Sequence, residues 1–350
     1  MAQSRMKRAA IAYADDKCID SQLLVANLVA LFRQRGLSMI TLLAGTAIFE
    51  QDLNQSGHKI SAVQLNKLLD NAIKQWPSDD LAFILGQQWL PAQSGPLTQG
   101  LLCCKHFGQA QQFWQRYHWL TQPWLQISRW QTPQQQHLLI QQDLGMPQLQ
   151  RFFMELSLSS LVASFKSLSR SRWHGHFSLP YTAPSNIDQY YKYLGDSIKF
   201  EQPICVVSFD QTIDQQPFEM ANRQGLWQAN RQIRRLYLNS DFRIGLPAMV
   251  RRLMLQQIHS NQSLPDIAAQ LSLSPATLKR RLKAFNISFQ QLQDEAKLQH
   301  AIYLIAINGD SNPHIAKQLK FADSNNFRRS FKRWTGKLPS NFKYWLTSKI

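Results

Sequence analysis

Apolar residues recur every three or four positions along much of the first two thirds of the chain, a spacing that predicts amphipathic helices. The pattern is clearest over 23–32 and 63–76, where Gly36 and Pro77 follow as stop signals. Further helices are predicted over 151–168, 185–194 and 223–238, and strands over 125–130, 136–141 and 204–209. Helices and strands therefore alternate irregularly, which favours a mixed α+β domain in this part of the chain.

A helix, a tight turn and a second helix are predicted over 264–284. The first helix carries its apolar residues on one face, and Ser274-Pro275 is a strong start for the second. The second helix buries Leu278 and Leu282 and presents polar and basic residues on its other face. Two helices, a short turn and a basic outer surface predict a helix-turn-helix unit.

The same pattern recurs further along the chain. Ile315–Leu319 repeats the pattern of Ile267–Leu271, and Phe327 and Phe331 repeat the buried positions of the earlier outer helix. This apolar pair comes one position later than in the first unit, so the second turn is one residue longer. A second helix-turn-helix unit is predicted over 313–334, and two units with matching spacing are more specific than one match.

A long helix is predicted between the two units, over 289–307. Ser288 and Gln291 form a capping box at its start, and Asn308-Gly309 ends it. Such a helix is about 28 Å long at 1.5 Å per residue, close to the ~34 Å between successive major grooves on one face of B-DNA. It could hold two outer helices in adjacent grooves. The alternative is a helical bundle whose basic face is merely solvated.

Charge separates the two parts of the chain. The 350 residues include 39 Lys and Arg against 22 Asp and Glu, and the segment 241–350 contributes nearly two thirds of the formal net charge of +17. A polyanion, either nucleic acid or an anionic membrane surface, is expected to bind the C-terminal third. The longest apolar runs are about half the ~20 residues that a membrane-spanning helix needs. Four cysteines without disulfide or metal spacing fit the reducing cytoplasm, which is the expected location.

The segment Leu264–Lys343 resembles the DNA-binding region of AraC/XylS-type transcription regulators. The resemblance is strongest in the second unit, where residues 321–340 read FADSNNFRRSFKRWTGKLPS and carry that family's signature almost throughout. Two positions depart from it, because Lys320 and Asn286 stand where the family has glycine. Asparagine tolerates a left-handed backbone, whereas Lys320 strains its turn if that turn needs a positive φ.

The resemblance implies which side chains contact DNA. Base-edge contacts are expected at Ala276, Lys279 and Arg280 in the first unit and at Ser324, Asn325, Asn326 and Arg329 in the second. These types agree with the chemistry, because arginine pairs bidentately with guanine and asparagine with adenine. Phosphate contacts, which position the protein without reading sequence, are expected at Lys283, Arg328 and Lys332, and Thr277 completes the expected interface.

A second resemblance covers the N-terminal part of the chain. The motifs Leu179-Pro180, Tyr190-Tyr191, Leu194-Gly195, Val207-Ser208-Phe209 and Pro217 are similar to the so-called arabinose-binding N-terminal domain of one branch of the same family. This resemblance implies that the N-terminal part binds a small effector and supports self-association. The historical name does not identify arabinose as the ligand, and no ligand-binding residue is nominated.

The predicted architecture is an α+β N-terminal sensor and dimerisation domain followed by an all-α domain with two helix-turn-helix units joined by a linker helix. The boundaries are 18–238 for the sensor, 239–246 for a linker and 247–350 for the DNA-binding domain. The expected function is a sequence-specific transcription regulator, an activator that responds to a small molecule. Expected partners are double-stranded DNA, the effector, a second copy of the chain and, for an activator, RNA polymerase. No catalysis, cofactor or metal is expected.

Two other functions stay open on the sequence. The segment around Cys205 is faintly similar to the alkyl-transfer cysteine motif of DNA-repair proteins that carry AraC-type modules, but the activating histidine is missing, so a buried strand cysteine is expected. The other is a DNA-binding protein without any effector. His174 and His176 have the spacing of a metal pair, but no third ligand follows, so an exposed loop is predicted there.

Overall fold

The computed structural model describes residues 10–55, 57–89, 95–143, 147–239, 243–260 and 262–346. Residues 240–242 of the predicted linker and 347–350 of the predicted DNA-binding domain lie outside these ranges. The chain divides into two compact units. The first unit comprises residues 1–125, 142–171 and 216–246, and the second comprises residues 126–141, 172–215 and 247–350.

Helices make up most of the described chain. In order they are α1 (Leu24–Gln34), α2 (Met39–Leu43), α3 (Ala62–Gln75), α4 (Leu81–Trp89), α5 (Pro96–Leu102), α6 (Phe107–Tyr117), α7 (Gln150–Ser169), α8 (Ile187–Leu194), α9 (Arg223–Asn239), α10 (Leu246–Gln256), α11 (Leu264–Gln270), α12 (Pro275–Lys283), α13 (Phe289–Tyr303), α14 (Asn312–Gln318) and α15 (Ser324–Thr335). A π-helical turn, Leu304–Asn308, follows α13 directly. The helices predicted in the N-terminal part are confirmed as α1, α3, α7, α8 and α9.

The strands are short. They are β1 (Ala10–Ala12), β2 (Ile19–Asp20), β3 (Lys59–Ile60), β4 (Leu125–Gln131), β5 (Gln135–Gln142), β6 (Gly175–Ser178), β7 (Ile198–Lys199), β8 (Val206–Asp210) and β9 (Arg243–Gly245). Five of them form one sheet in the order β4-β5-β8-β6-β7. In this sheet β8 is antiparallel to β5 and β6, while β7 is parallel to β6. The three predicted strands are confirmed as β4, β5 and β8, and the mixed α/β class is confirmed with them.

The close approach of α4 and α7 shapes the core of the first unit. A Cβ built on Gly86 would lie 2.3 Å from the carbonyl oxygen of Leu156, so only glycine fits there. The Ser159 hydroxyl donates to the carbonyl oxygen of Phe83, at 2.8 Å, and holds the same contact from the other helix. The serine-rich α7 can therefore be buried, because several of its hydroxyls bond to backbone carbonyls.

The end of the predicted linker is a strand of the first unit. Strand β9 pairs in parallel with β1, with Ile244 opposite Ile11. Arg243 forms an ion pair with Asp16 at 3.0 Å, and the Gly245 N–H donates to Asp143 Oδ1 at 2.8 Å. Residues 243–245 are thus held in place by strand pairing and by bonds to side chains that are distant in sequence.

The prediction of an exposed loop around the histidine pair is wrong for two of its three residues. His174 is exposed and precedes β6, but Gly175 is buried and His176 is half-buried, and both lie in β6 between β8 and β7. The His176 ring bonds to the Ser197 hydroxyl. The error has a physical cause, since β6 is short and is stabilised by pairing with strands distant in sequence rather than by any local pattern.

In the second unit, the sheet and the C-terminal helices share one hydrophobic core. Trp130 of β4, Leu139 of β5 and Val206 of β8 are buried in the same cluster as the end of α13 and the π turn. The Trp130 ring meets Tyr303 edge-on, with centroids 5.6 Å apart. The Trp345 Nε1–H donates to Gln202 Oε1 at 2.7 Å. Strands that lie within the predicted sensor domain therefore pack directly on the helices of the predicted DNA-binding domain.

A buried histidine in the sheet makes stability depend on pH. His137 of β5 is fully buried, and its Nδ1 lies 2.8 Å from the Ser208 hydroxyl of β8. Burial lowers the pKa of His137 from 6.5 to about 4. The unfolded chain therefore binds a proton at a higher pH than the folded chain, so this contribution is complete above pH 6.5 and is lost as the pH falls towards 4. The loss amounts to about 3 kcal/mol at 1.36 kcal/mol per pKa unit.

We expect urea unfolding midpoints to fall steeply between pH 6.5 and 4, and to fall less in a His137→Gln variant. Glutamine keeps a hydrogen-bonding group beside Ser208 but does not titrate. Parallel pH profiles of the parent and the variant would show that His137 is not the group responsible.

Candidate nucleic-acid interface

The first helix-turn-helix unit forms through two serine caps. Ser263 begins α11 with a capping box that includes Asp266, and Ser274 begins α12 by accepting a hydrogen bond from the Thr277 N–H at 3.1 Å. Between the two helices, Ser272 adopts a left-handed φ of +56°. Leu278 and Leu282 are buried against α11, so the opposite face of α12 is turned outward.

The outward face of α12 carries the residues that the sequence predicts. Ala276, Lys279, Arg280 and Lys283 are exposed. Thr277 is half-buried, and its hydroxyl accepts a hydrogen bond from the Ser274 hydroxyl at 2.8 Å. Thr277 thus supports the helix start, while the other four side chains form the accessible surface.

The second unit repeats this arrangement with a different cap. Asp323 caps α15 by accepting from the Asn326 N–H at 2.7 Å, and its other oxygen accepts from Asn326 Nδ2 at 3.0 Å. Phe327 and Phe331 are buried with their rings 5.7 Å apart. Asn325, Arg328, Arg329 and Lys332 are exposed, whereas Ser324 and Asn326 are half-buried. The Asn326 amide is already engaged, so pairing with adenine would require it to leave Asp323.

The exposed cations of α12 and α15 are not neutralised by salt bridges within the described ranges. In that part of the chain, Lys279, Arg280, Lys283, Arg328, Arg329 and Lys332 form no ion pair with a carboxylate. A surface of uncompensated positive charge favours a polyanionic ligand. The two outer helices therefore offer their positive charges to a partner, together with the exposed side chains of Ala276 and Asn325.

Other arginines of this region are structural. Arg251 of α10 donates to Glu295 Oε2 of α13 at 2.8 Å, and Arg333 of α15 lies 3.2 Å from Asp294 Oδ2 of α13. These pairs fasten the flanking helices to the linker helix. No local sequence pattern indicates these pairs, because the partners are far apart in sequence. The Asp323 cap, by contrast, could have been predicted locally, because aspartate directly before a helix accepts from the backbone N–H three residues later, here that of Asn326.

The turns of the two units share an unusual backbone conformation. Lys320 has a φ of +57°, and Ser272, at the equivalent position of the first unit, has almost the same value. The Phe321 N–H donates to the Ala316 carbonyl at 2.9 Å, and the Leu273 N–H donates to the Ala268 carbonyl at the same distance. The expectation that a lysine here is strained is confirmed, because a left-handed φ disfavours any residue with a Cβ.

We expect Lys320→Gly to raise the free energy of unfolding by about 0.5–1 kcal/mol, because the relief of strain exceeds the added flexibility of the unfolded chain. Lys317→Gly is the matched control, since it lies in α14 and should cost about 1 kcal/mol. Chemical unfolding measures both. Changes of the same sign in the two variants would contradict the assignment of strain to position 320.

The linker helix lies where it is predicted and begins at the predicted residue, but it ends differently from the prediction. Ser288 and Gln291 form the predicted capping box of α13. The regular helix stops at Tyr303, four residues before the predicted end, and continues as the π turn to Asn308. Gly309 then has a φ of +73°, which ends the helix. Leu304, Ile305 and Ala306 of the π turn are buried.

The cysteine of the alkyl-transfer alternative lies in the interior of the protein. Cys205 is buried, and burial raises the pKa of its thiol to about 12, so a reactive thiolate is disfavoured at neutral pH. The part of the chain that the structure describes contains no group of three His, Cys, Asp or Glu placed to hold a metal ion. None of its helices is long and apolar enough to cross a membrane.

Comparison with known proteins gives matches over both parts of the chain. Residues 36–218 match the family of arabinose-binding N-terminal domains of AraC transcription regulators. Residues 267–344 match a helix-turn-helix domain family. The Ornithine utilization regulator of Pseudomonas aeruginosa is 25% identical over 318 residues, covering 90% of this chain and 94% of that protein.

A helix-turn-helix-type transcriptional regulator of Mycobacterium tuberculosis is 24% identical over 327 residues, covering 88% and 92% of the two chains. Among solved structures, the transcriptional regulator CdpR from Pseudomonas aeruginosa aligns with a TM-score of 0.46 at 16% identity, over 91% of this chain and 97% of that one. The two regulators that are similar in sequence therefore match this chain over most of their own length.

Proposed function

The chain belongs to the AraC family of DNA-binding transcription regulators, and on that premise we propose that α12 and α15 read two consecutive stretches of major groove on one duplex. The observation that carries this proposal is the exposed basic face on the outer helix of each unit. The sheltered faces of the same helices are buried and apolar. Each helix therefore has one surface for the fold and one for a partner.

The proposed contacts divide by chemistry. Arg280 and Arg329 pair with guanine, and Asn325 with adenine, because their groups match the edges of those bases. Lys283, Arg328 and Lys332 bind phosphate, which fixes register without selecting sequence. Lys279, Ala276, Ser324 and Asn326 complete the base-facing set, and Thr277 serves mainly the helix start. Asn326 can contact a base only after its amide breaks the hydrogen bond to Asp323.

The test compares two variants of one helix. Arg329→Ala should weaken binding to the operator by about 1–3 kcal/mol and relax the preference at one base pair, with little change on random DNA. Lys332→Ala should weaken binding to all sequences alike and make the salt dependence shallower by about one charge. Titrations on operator and random duplexes at several salt concentrations give both quantities. Equal losses on the two duplexes for Arg329→Ala would contradict base reading by this residue.

We also propose that residues 18–238 bind a small effector and mediate dimerisation, and that 247–350 carry DNA recognition, with 239–246 joining them. The chain would then act as an activator that contacts RNA polymerase in the cytoplasm. The packing of Trp130 on Tyr303 supports a route for the response, because the sheet rests on the linker helix itself. The test is a panel of metabolites that begins with ornithine, because the relative is named an ornithine utilization regulator. If no metabolite changes promoter affinity or transcription, the proposal that the chain binds an effector is contradicted.

We infer no enzymatic role. The matched families and the relatives are transcription regulators, and the inaccessible Cys205 argues against alkyl transfer. A Cys205→Ala protein with unchanged DNA binding and unchanged regulation would support this conclusion, whereas loss of an alkyl-transfer activity would reverse it.

A further inference from the structure

A cavity in the first unit combines charged groups with apolar walls. It encloses about 220 Å³ and lies between the end of α3, the start of α4 and the start of α7. Polar atoms form a large part of its accessible surface. Its volume is below the roughly 300–1,000 Å³ of sites for drug-sized ligands, so it suits a small metabolite.

Two accessible side chains of opposite charge line this cavity. Asp79, just before α4, is exposed, and the side chain of Arg151 on α7 is 42% exposed. Glu155 holds Arg151 in place, because its side chain is only 6% exposed and its Oε1 accepts from the Arg151 Nε–H at 2.6 Å. A guanidinium fixed by a buried carboxylate is pre-organised, so little side-chain freedom is lost when it binds a ligand carboxylate.

The apolar part of the lining is fixed on one side and accessible on the other. Trp76 and Phe152 are each 6% exposed, and the Trp76 Nε1–H donates to Asp80 Oδ1 at 2.9 Å, which sets the orientation of the ring. Ile73 also lines the cavity, and it is 41% exposed although its side chain is large and aliphatic. A ligand with an aliphatic body would be stabilised by removing Ile73 from water.

The charges of the lining decide the class of ligand. A cation without a carboxylate would face the like charge of Arg151, and an anion without an ammonium would face the like charge of Asp79. A molecule that carries both groups can form a charge-assisted hydrogen bond with each side chain. An ammonium, a carboxylate and an apolar body are combined in the aliphatic amino acids.

We propose that this cavity binds an aliphatic amino acid, with its carboxylate on Arg151, its ammonium on Asp79 and its side chain against Ile73 and Trp76, and that this amino acid is the effector. The assignment as effector rests on the effector-binding part of the proposed function. The assignment as a binding site rests on the cavity and its lining alone.

The test uses three probes with the same aliphatic body. L-leucine carries both charges, isoamylamine lacks the carboxylate, and isocaproate lacks the ammonium. Calorimetry on the full chain should detect L-leucine at millimolar concentration or below. Each singly charged probe should bind at least tenfold more weakly, because it loses one charged contact and faces one like charge. No binding of L-leucine, or equal binding of either singly charged probe, would overturn the proposal.

Asp79→Asn locates the ammonium. Asparagine keeps the size and one oxygen acceptor of the side chain and removes only its charge, so the variant should fold. L-leucine should bind at least tenfold more weakly, whereas isocaproate should bind at least as tightly as to the parent, because its carboxylate no longer faces a negative charge. Asp15→Asn is the control, since Asp15 is exposed in the same unit and does not line the cavity. Unchanged L-leucine affinity in Asp79→Asn would overturn the assignment.

Arg151→Lys locates the carboxylate. Lysine keeps a positive charge beside Glu155, so this buried carboxylate is not left without a counter-charge, but it lacks the planar fork of arginine. L-leucine should bind several-fold more weakly, and isoamylamine, which has no carboxylate, should bind as it does to the parent. An equal loss for the two probes would contradict a carboxylate contact at Arg151.

The same proteins separate the cavity from the wider proposal. If a metabolite alters the DNA affinity of the parent and of Asp79→Asn equally, the chain responds to an effector that binds elsewhere, and this cavity is not the effector site. If the parent binds L-leucine as expected but no amino acid or other metabolite alters DNA binding, the binding site stands and the effector-binding part of the proposed function fails.

Discussion

Replacing Arg280 and Arg329 together by alanine should lower operator affinity by about 2–6 kcal/mol, roughly 30-fold to 10⁴-fold at 1.4 kcal/mol per decade. The two side chains lie on different outer helices, and each bidentate pair with guanine contributes about 1–3 kcal/mol. Losses at well-separated base pairs add, so the double variant should lose the sum of the single losses. Titration of the two single variants and the double variant on one operator at fixed salt measures this.

The control for this prediction removes the same charge elsewhere. Arg234 and Arg235 are exposed on α9, and replacing both by alanine lowers the net charge equally without touching α12 or α15. That protein should bind the operator almost as tightly as the parent. A comparable loss in the control would mean that overall charge, not base reading, accounts for the effect. A double variant no weaker than the worse single variant would mean that only one helix engages the duplex.

Replacing Trp130 by alanine should lower the free energy of unfolding by about 3–5 kcal/mol, because a large buried ring is removed and a cavity remains. Trp130 is 8% exposed and contacts Tyr303 of the linker helix edge-on. Guanidinium unfolding followed by far-ultraviolet circular dichroism measures the change. Trp227→Ala is the control, since Trp227 is 60% exposed and should cost much less.

The functional consequence of Trp130→Ala follows from its position. The protein should retain its DNA contacts, because the substitution changes no residue on the exposed faces of α12 and α15, but any effect of an effector on DNA binding should shrink. A Trp130→Ala protein as stable as the parent would contradict the shared core. A Trp130→Ala protein that keeps its full effector response would contradict the proposal that the sheet transmits this response to the linker helix.

The helix-turn-helix units could be predicted closely because their signals are local. Serine or aspartate at the position before each helix, and apolar spacing over one or two turns, predict α11, α12, α14 and α15 without help from the rest of the chain, and α11, α12 and α14 also carry proline in their first turn. The strand β6 could not be predicted this way. Its residues Gly175–Ser178 carry no clear β pattern, and only pairing with strands distant in sequence creates it.

The same distinction applies to the candidate site. Residue type and helical spacing identified exposed cations such as Arg280 and Arg329, because exposure on a helix follows from its period. They did not reveal that Asn326 is bound to Asp323, or that Arg251 and Arg333 serve the fold.

The π turn that ends α13 has a consequence for operator geometry. In an α-helix each residue advances the chain by about 1.5 Å and turns it by about 100°, and a π turn accommodates roughly one extra residue in place. The extra residue of the π turn therefore sets the rotation, about the axis of α13, of the chain after Asn308, which includes α15. Leu304, Ile305 and Ala306 of this turn are buried, so their packing holds the rotation in place. If α12 and α15 contact two successive stretches of major groove, as proposed, the π turn sets the helical phase between those two stretches, and we expect operators lengthened by one base pair between them to bind more weakly.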